Sequence, residues 1–291
     1  MIISAVVVTH NRIELLKECI AALENQTHKL DKIIIINNGS TDGTKKWLQS
    51  KKNLIVVEEE NLGGANGFFV GIKKAFDEGS DWIWCLDDDT IANDNTLLNL
   101  TNSKYFHKPD TGFISSIVNW TNGDLHKMNA VMPMLNLSIY ENIKIDNSVQ
   151  INGASFVSIL ISRQAIRECG LPIKEFFIWG DDVEFTNRIA KKYNCYLKLD
   201  SIVIHKTKLN ETADFSLMDE SNFFKYKYLI RNHIWFLRKT RKKSNPFFNL
   251  YEHFKAIFLI LRSAKKNNIF YKVFIPLVKG YFFNPKIINK Y

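Results

Sequence analysis

The side chains able to do chemistry in this 291-residue sequence gather in a few short clusters. The most pointed is Asp87-Asp88-Asp89, delivered straight off the apolar run WIWCL at residues 82–86. Three adjacent carboxylates repel one another and resist burial as ions, so such a run at the end of a buried segment calls for a strong positive charge. Hard oxygen ligands of this kind select Mg²⁺ or Mn²⁺. A second acidic group, Asp181, Asp182 and Glu184, lies in FFIWGDDVEF, where a carboxylate can act as a general base. His205 ends the alternating stretch LKLDSIVIHK, a position from which an imidazole can join carboxylates on a metal. Thr9-His10-Asn11-Arg12 and Asn37-Asn38-Gly39-Ser40 add polar and cationic groups.

Alternating strand and helix patterns must position these clusters. Ile2–Val8 reads as a first strand, and Ile13, Leu16, Ile20 and Leu23 recur at helical spacing. Strands over Lys32–Ile36, Leu54–Val57 and Trp82–Leu86 alternate with helices through Trp47 and over Ala65–Phe76. Such alternation predicts an α/β fold with a mostly parallel sheet, whose ligands lie beyond the carboxyl ends of the strands. Three of the polar clusters fall at those ends. Residues 100–150 carry no clear period. Further on, a strand is predicted over Ser155–Ile161, a helix over Asp182–Lys192 and a strand over Cys195–His205. Three amphipathic helices follow, around Phe223–Arg238, Phe247–Arg262 and Ile269–Val278.

The formal charge of +9 conceals an asymmetry. Residues 1–220 carry 23 Lys and Arg against 29 acids, whereas residues 221–291 carry 16 against one, Glu252. A tail of that kind meets an anionic partner. No run of 18 apolar residues predicts a membrane-crossing helix, and MIISAVVVTHNR reads as a strand rather than a leader. Four scattered cysteines without a CxxC pair fit reduced thiols in a cytosolic protein.

Together, AVVVTHNR, IIIINNGSTDGT, NLGGANG and WCLDDDT resemble the nucleotide-sugar-binding half of family 2 glycosyltransferases, over roughly residues 3–210. The resemblance implies a GT-A fold, a Rossmann-like mixed, mostly parallel sheet flanked by helices, with a C-terminal basic helical extension. It implies a catalytic domain over 1–215, with a donor-binding half in about 1–100 and an acceptor half in about 101–215. Residues 216–291 would form a helical, membrane-associating region. The implied donor is a nucleotide-diphosphate sugar lying along Thr9, Asn11 and Arg12, with Asn38 and Ser40 near the base or ribose and Asn61, Gly63 and Gly64 beside it. Asn37 reads instead as an Asx-type turn. Asp87 would meet the donor sugar or ribose, and Asp89 and His205 would hold Mn²⁺ or Mg²⁺. Asp88, grouped with the donor contacts, points the other way by strand alternation and is the aspartate expected to be replaceable. Asp182 is expected to be the base of an inverting transfer, with Asp181 as its rival. Trp179, Asp181 and Glu184 would contact the acceptor.

The pattern of tryptophans and acids is most similar to galactofuranosyltransferases, implying UDP-galactofuranose as donor, with dTDP-rhamnose as the alternative. KYKYLIRN is similar to a Tyr-rich, Arg-Asn stretch that follows the catalytic domain in such relatives. The expected acceptor is a glycan, surface-exposed or linked to a polyprenyl diphosphate. The basic, aromatic tail would lie on the anionic inner face of the plasma membrane, making the protein cytoplasmic and peripheral. A basic nucleic-acid-binding protein would leave both acidic clusters without a purpose, and no RNA-binding motif occurs. A nucleotidyltransferase would open with a glycine-rich phosphate loop, and residues 3–12 contain no glycine.

Overall fold

The computed structural model describes residues 1–129, 131, 133–134, 138–240 and 246–288. The expected alternation is realised as β1 (Ile3–Thr9), α1 (Ile13–Glu24), β2 (Lys32–Asn38), α2 (Thr44–Gln49), β3 (Ile55–Glu59), α3 (Gly64–Asp77) and β4 (Trp82–Asp87). Then come β5 (Thr90–Ala92), α4 (Thr96–Thr101), β6 (Thr111–Asn119), α5 (Ser138–Asp146), β7 (Ser148–Gln150) and β8 (Ile159–Ser162). The remaining elements are α6 (Arg163–Cys169), α7 (Asp181–Ala190), β9 (Asn194–His205), α8 (Phe223–Thr240), α9 (Pro246–Lys266) and α10 (Phe274–Phe282). The chain divides into two units. One comprises Met1–Lys174, Asp182–Glu211 and the chain from Ile287; the other comprises Glu175–Asp181 and Thr212–Lys286. The short segment Glu175–Asp181 thus groups with the C-terminal helices.

In the first unit the strands form one mixed sheet in the order β3-β2-β1-β4-β8-β6-β9-β5, with β7 paired to β9. β3, β2, β1 and β4 run parallel. Alternation along each strand fills two apolar layers. Val6, Val8, Ile34, Ile36, Ile83 and Cys85 share one face with Phe68, Ile72 and Phe76 of α3. Ala5, Val7, Ile33, Ile35, Trp84 and Leu86 share the other with Leu16, Ile20 and Leu23 of α1. These strands are buried on both faces, which is why they read as continuous apolar runs.

Two glycines let α3 lie close on β1. A Cβ at Gly67 would stand 2.5 Å from Val8 Cγ1, and one at Gly71 would overlap the Val6 side chain. Gly71→Val is expected to cost about 1–3 kcal/mol through overpacking, read as a lowered urea or thermal unfolding midpoint. The strand expected over Ser155–Ile161 begins only at Ile159. Phe156 and Val157 are buried in opposite layers and Ser158 has φ 60°, so the apolar run before β8 is a packed turn rather than a ladder.

In the second unit α8, α9 and α10 correspond to the three expected amphipathic helices. Tyr226, Ile230 and Ile234 of α8 pack with Ile260, Ala264, Val273 and Leu277. Pro276 is the third residue of α10, where its missing N–H has no intrahelical partner to lose. Residues 241–245 of the basic stretch lie outside the described residues.

Candidate metal and donor site

The chain leaves β1 for β2 and β3 on one side, then returns to pair β4 along β1's other edge. That reversal of strand order opens a crevice beyond the carboxyl ends of β1 and β4, the usual ligand position in such sheets. In the register Val8 faces Asp87, which sets the aspartate run beside Thr9–Arg12. Sheet pairing also supplies the distant histidine, because β5 and β9 pair antiparallel with Thr90 opposite His205. A side chain more than a hundred residues downstream is thereby carried to the end of β4.

Asp87, Asp89 and His205 each offer one ligand atom, and these atoms lie within 4.8 Å of one another. His205 Nε2 is 3.1 Å from Asp89 Oδ1 and 3.9 Å from Asp87 Oδ2. His205 Nδ1 faces Asn129 Oδ1 at 2.8 Å. A neutral imidazole that donates from Nδ1 to this oxygen turns the Nε2 lone pair toward the two carboxylates. Asp89 Oδ1 is buried, and among the described residues no hydrogen bond satisfies it in that state. Two carboxylates and an imidazole lone pair converging on one point fit a divalent cation, and an imidazole in the set suits Mn²⁺ better than Mg²⁺. Asp87, expected on the donor sugar or ribose, stands instead with Asp89 and His205 in the group that could hold a metal.

The electrostatics express the same demand for positive charge. Burial, with repulsion from Asp89, pushes the Asp87 carboxyl up to about 6. For Asp89, burial works upward too, but the hydrogen bond and charge of His205 and the Arg12 charge hold it below the usual range. His205 is raised: burial opposes its charge, and the bond to Asp89 with the charges of Asp89 and Asp87 outweighs that. A proton on His205 thus stands where a cation would, and the two compete.

Asp88 lies with Asp89 in the turn between β4 and β5 and is not one of the three converging groups; the aspartate expected to be replaceable is closely bonded. It is 3% exposed and accepts from Thr9 Oγ1 at 2.8 Å and from Arg12 Nη1 at 3.1 Å. Burial raises its carboxyl to about 7 against the pull of Arg12. Asp88 therefore ties the end of β1 to the end of β4. Arg12 also bonds Asp89 Oδ2 at 2.6 Å, so one guanidinium holds two of the three aspartates.

The other expected donor residues gather around His10, whose role sequence reasoning did not single out. Its Nδ1 lies 2.8 Å from the Asn38 carbonyl and its Nε2 lies 3.1 Å from Asn61 Nδ2. Asn11 N–H donates to Ser40 Oγ at 3.0 Å, and Gly63 N–H donates to Asn61 Oδ1 at 3.2 Å. Gly64 opens α3 directly after this loop. Asn38 Oδ1 is buried without a hydrogen-bond donor among the described residues, an open acceptor in the cluster. Asn37 makes the expected Asx-type bond, accepting from Ser40 N–H at 3.3 Å.

Asp182 belongs to the same unit, is partly exposed, and its charge contributes to raising Asp87. Asp181 is buried, at 6% exposure. Glu184, expected at the acceptor, is buried at 8% exposure and paired with Arg188. Both of its oxygens accept from Arg188, at 2.9 and 2.8 Å, and Arg188 also bonds the carbonyls of Cys169 and Leu171. The pair pins α7 to the segment after α6, and its i,i+4 spacing is the sequence signal that could have revealed it. Trp179, in the second unit, packs edge-on to Tyr226 with centroids 5.2 Å apart.

Known proteins share both the sequence and the fold. The chain is 27% identical to galactofuranosyltransferase GlfT1 of Mycolicibacterium smegmatis over 202 residues, covering 65% of this chain and 66% of that protein. It is 37% identical over 98 residues to galactofuranosyltransferase GlfT1 of Mycobacterium tuberculosis, covering 32% of each. The chain thus spans about two thirds of the first relative and about a third of the second. Among solved structures, GalNAc-T7 with UDP, GalNAc and Mn²⁺ superposes with a TM-score of 0.62 at 16% identity, over 79% of this chain and 48% of that one. The mannosyltransferase PcManGT of Pyrobaculum calidifontis, with GDP-Man and Mn²⁺, gives 0.54 at 17% identity over 96% and 73%. These likenesses confirm the GT-A architecture. The model of glycosyl transferase family 2 matches residues 4–170, more than half of the sequence and the part that carries Arg12 and the aspartate run, so this chain belongs to glycosyl transferase family 2.

Proposed function

We propose that this chain transfers galactofuranose from UDP-galactofuranose, with inversion, to a lipid-linked or surface glycan. The observation that carries the reading is the convergence of Asp87, Asp89 and His205 in the crevice whose charge Asp182 also feels. The names of the M. smegmatis and M. tuberculosis relatives support the choice of sugar.

The acceptor oxygen attacks the anomeric carbon from the face opposite the diphosphate. As that bond forms, the bond from the anomeric carbon to the diphosphate oxygen breaks, and the acceptor's hydroxyl proton passes to the Asp182 carboxylate. A divalent cation held by Asp87, Asp89 and His205 would neutralise charge developing on the departing diphosphate. Arg12 keeps Asp88 and Asp89 in place for that role. The open Asn38 Oδ1 offers an acceptor to a donor N–H or O–H. A screen of UDP- and dTDP-sugars with Mn²⁺ and Mg²⁺, reading nucleoside diphosphate release, should give metal-dependent turnover with UDP-galactofuranose. Turnover with dTDP-rhamnose alone would change the sugar, and none with any of these donors would defeat the reading.

The membrane part of the proposal rests on the second unit. Tyr251, Phe254 and Phe258 lie along one side of α9, each at least 60% exposed. Tyr271, just before α10, and Ile275, Val278 and Phe282 within it are exposed at similar spacing. Exposed aromatics among Lys255, Arg262, Lys265, Lys266, Lys272 and Lys279 suit an anionic lipid interface. Among the described residues no helix is long and apolar enough to cross a membrane. Sedimentation with anionic vesicles is expected for the intact protein and should fall when Phe254 and Phe258 are changed to Ser. Unchanged sedimentation would remove the membrane from the account.

A further inference from the structure

The segment entering the acidic motif has an unusual backbone. Phe177, Trp179 and Gly180 have φ of 68°, 64° and 90°, within a stretch of four residues. Left-handed backbone at two bulky aromatic residues is strained and persists only where neighbours over-determine it. Those neighbours are residues of α8. Asn232, 2% exposed, directs its Nδ2 at the carbonyls of Phe176, Ile178 and Trp179, at 3.1, 3.2 and 2.9 Å. Two N–H groups are thus shared among three carbonyls of the segment.

The Asn232 amide is itself held. Its Oδ1 accepts from Arg231 Nε at 3.0 Å and Nη2 at 2.8 Å. Arg231 Nη2 also reaches the carbonyls of Glu175 and Phe176, at 2.7 and 3.0 Å. The Arg231 guanidinium lies 4.0 Å from the centre of the Phe283 ring, and Tyr228 stacks on Phe177 with centroids 4.3 Å apart. The KYKYLIRN stretch therefore spends Tyr226, Tyr228, Arg231 and Asn232 on five residues, Glu175 to Trp179. Asn is required for this role by its chemistry: Asp lacks the N–H groups, and Ala lacks both functions.

We propose that Asn232, braced by Arg231, is a positioning residue that holds the Phe176–Gly180 backbone in the conformation from which the chain delivers Asp181 and Asp182, so that α8 acts on the acceptor half of the reaction and not on donor binding. This rests on Asp182 being the base of the proposed transfer.

The test uses the intact chain carrying Asn232→Asp or Asn232→Ala, with Arg231→Lys as a milder variant should those fail to fold. Two quantities are read. The first is glycosyl transfer relative to metal-dependent hydrolysis of the donor in the absence of acceptor. Transfer is expected to fall on the order of 100-fold while donor affinity and hydrolysis stay near the original, because small misplacement of a reacting group is that costly. A residue needed only for folding would lower both in proportion, and that result overturns the proposal. The second quantity is hydrogen exchange at residues 176–182, which needs no sugar chemistry. It should accelerate in the variants with exchange in β1 and β4 unchanged, whereas unaltered exchange at 176–182 overturns the proposal even if the transferase reading stands. Faster exchange there in a protein with no transfer to any acceptor would instead place the failure in the transferase reading.

Discussion

Asp182→Asn is expected to reduce glycosyl transfer by a factor of about 10²–10⁴ while leaving donor affinity nearly unchanged. The substitution keeps the shape of the side chain and removes its ability to take a proton. Asp182 is the partly exposed member of its pair, and its charge is felt at Asp87, whereas Asp181 is buried at the first turn of α7. Near-normal turnover in Asp182→Asn would transfer the role to Asp181. Parallel measurements of transfer rate and of nucleotide affinity separate the two contributions, since a general base acts on the attack and not on donor binding.

Asp89→Ala is expected to produce the opposite pattern, a large loss of metal-dependent donor binding. Asp89 faces both His205, at 3.1 Å, and Arg12, at 2.6 Å. Its removal takes one oxygen from the candidate cation site and frees Arg12 from half of its anchorage. Loss of an outer-shell partner alone costs about 10–100-fold in metal affinity, so loss of a direct ligand should cost at least that. Titration of Mn²⁺ followed by its electron paramagnetic resonance, with and without UDP, reads the effect. Unaltered Mn²⁺ affinity would remove Asp89 from the ligand set. Asp88→Ala should differ again, disturbing the junction of β1 and β4 and lowering the unfolding midpoint.

Much of this was legible in the sequence because local chemistry and local geometry agree there. β1 and β4 are apolar runs whose polar ends can be read directly. The parts that were not legible depend on distant partners. β6 (Thr111–Asn119) carries Ser115 and Ser116 in the middle of the sheet, which obscures its strand pattern. Ser116 Oγ is satisfied by Ser158 at 2.6 Å and Ser201 at 2.8 Å, each more than forty residues away. Asn129 likewise has nothing nearby in sequence to mark it as the partner of His205. The importance of Asp88 was missed because strand alternation tells which way a side chain points and not what it meets; Thr9 and Arg12 meet it across the neighbouring strand. The Glu184–Arg188 pair was readable from the sequence, since Arg188 stands one helical turn away.

The central claim is that Asp87, Asp89 and His205 together hold the cation that serves a nucleotide-diphosphate sugar. Anomalous diffraction at the manganese edge, from crystals grown with UDP and Mn²⁺, tests it most directly. One manganese peak is expected, bonded to carboxylate oxygens of Asp87 and Asp89 and to His205 Nε2, with the UDP diphosphate completing its shell. A diphosphate bound with no metal at these three side chains, or a manganese held elsewhere, would contradict it.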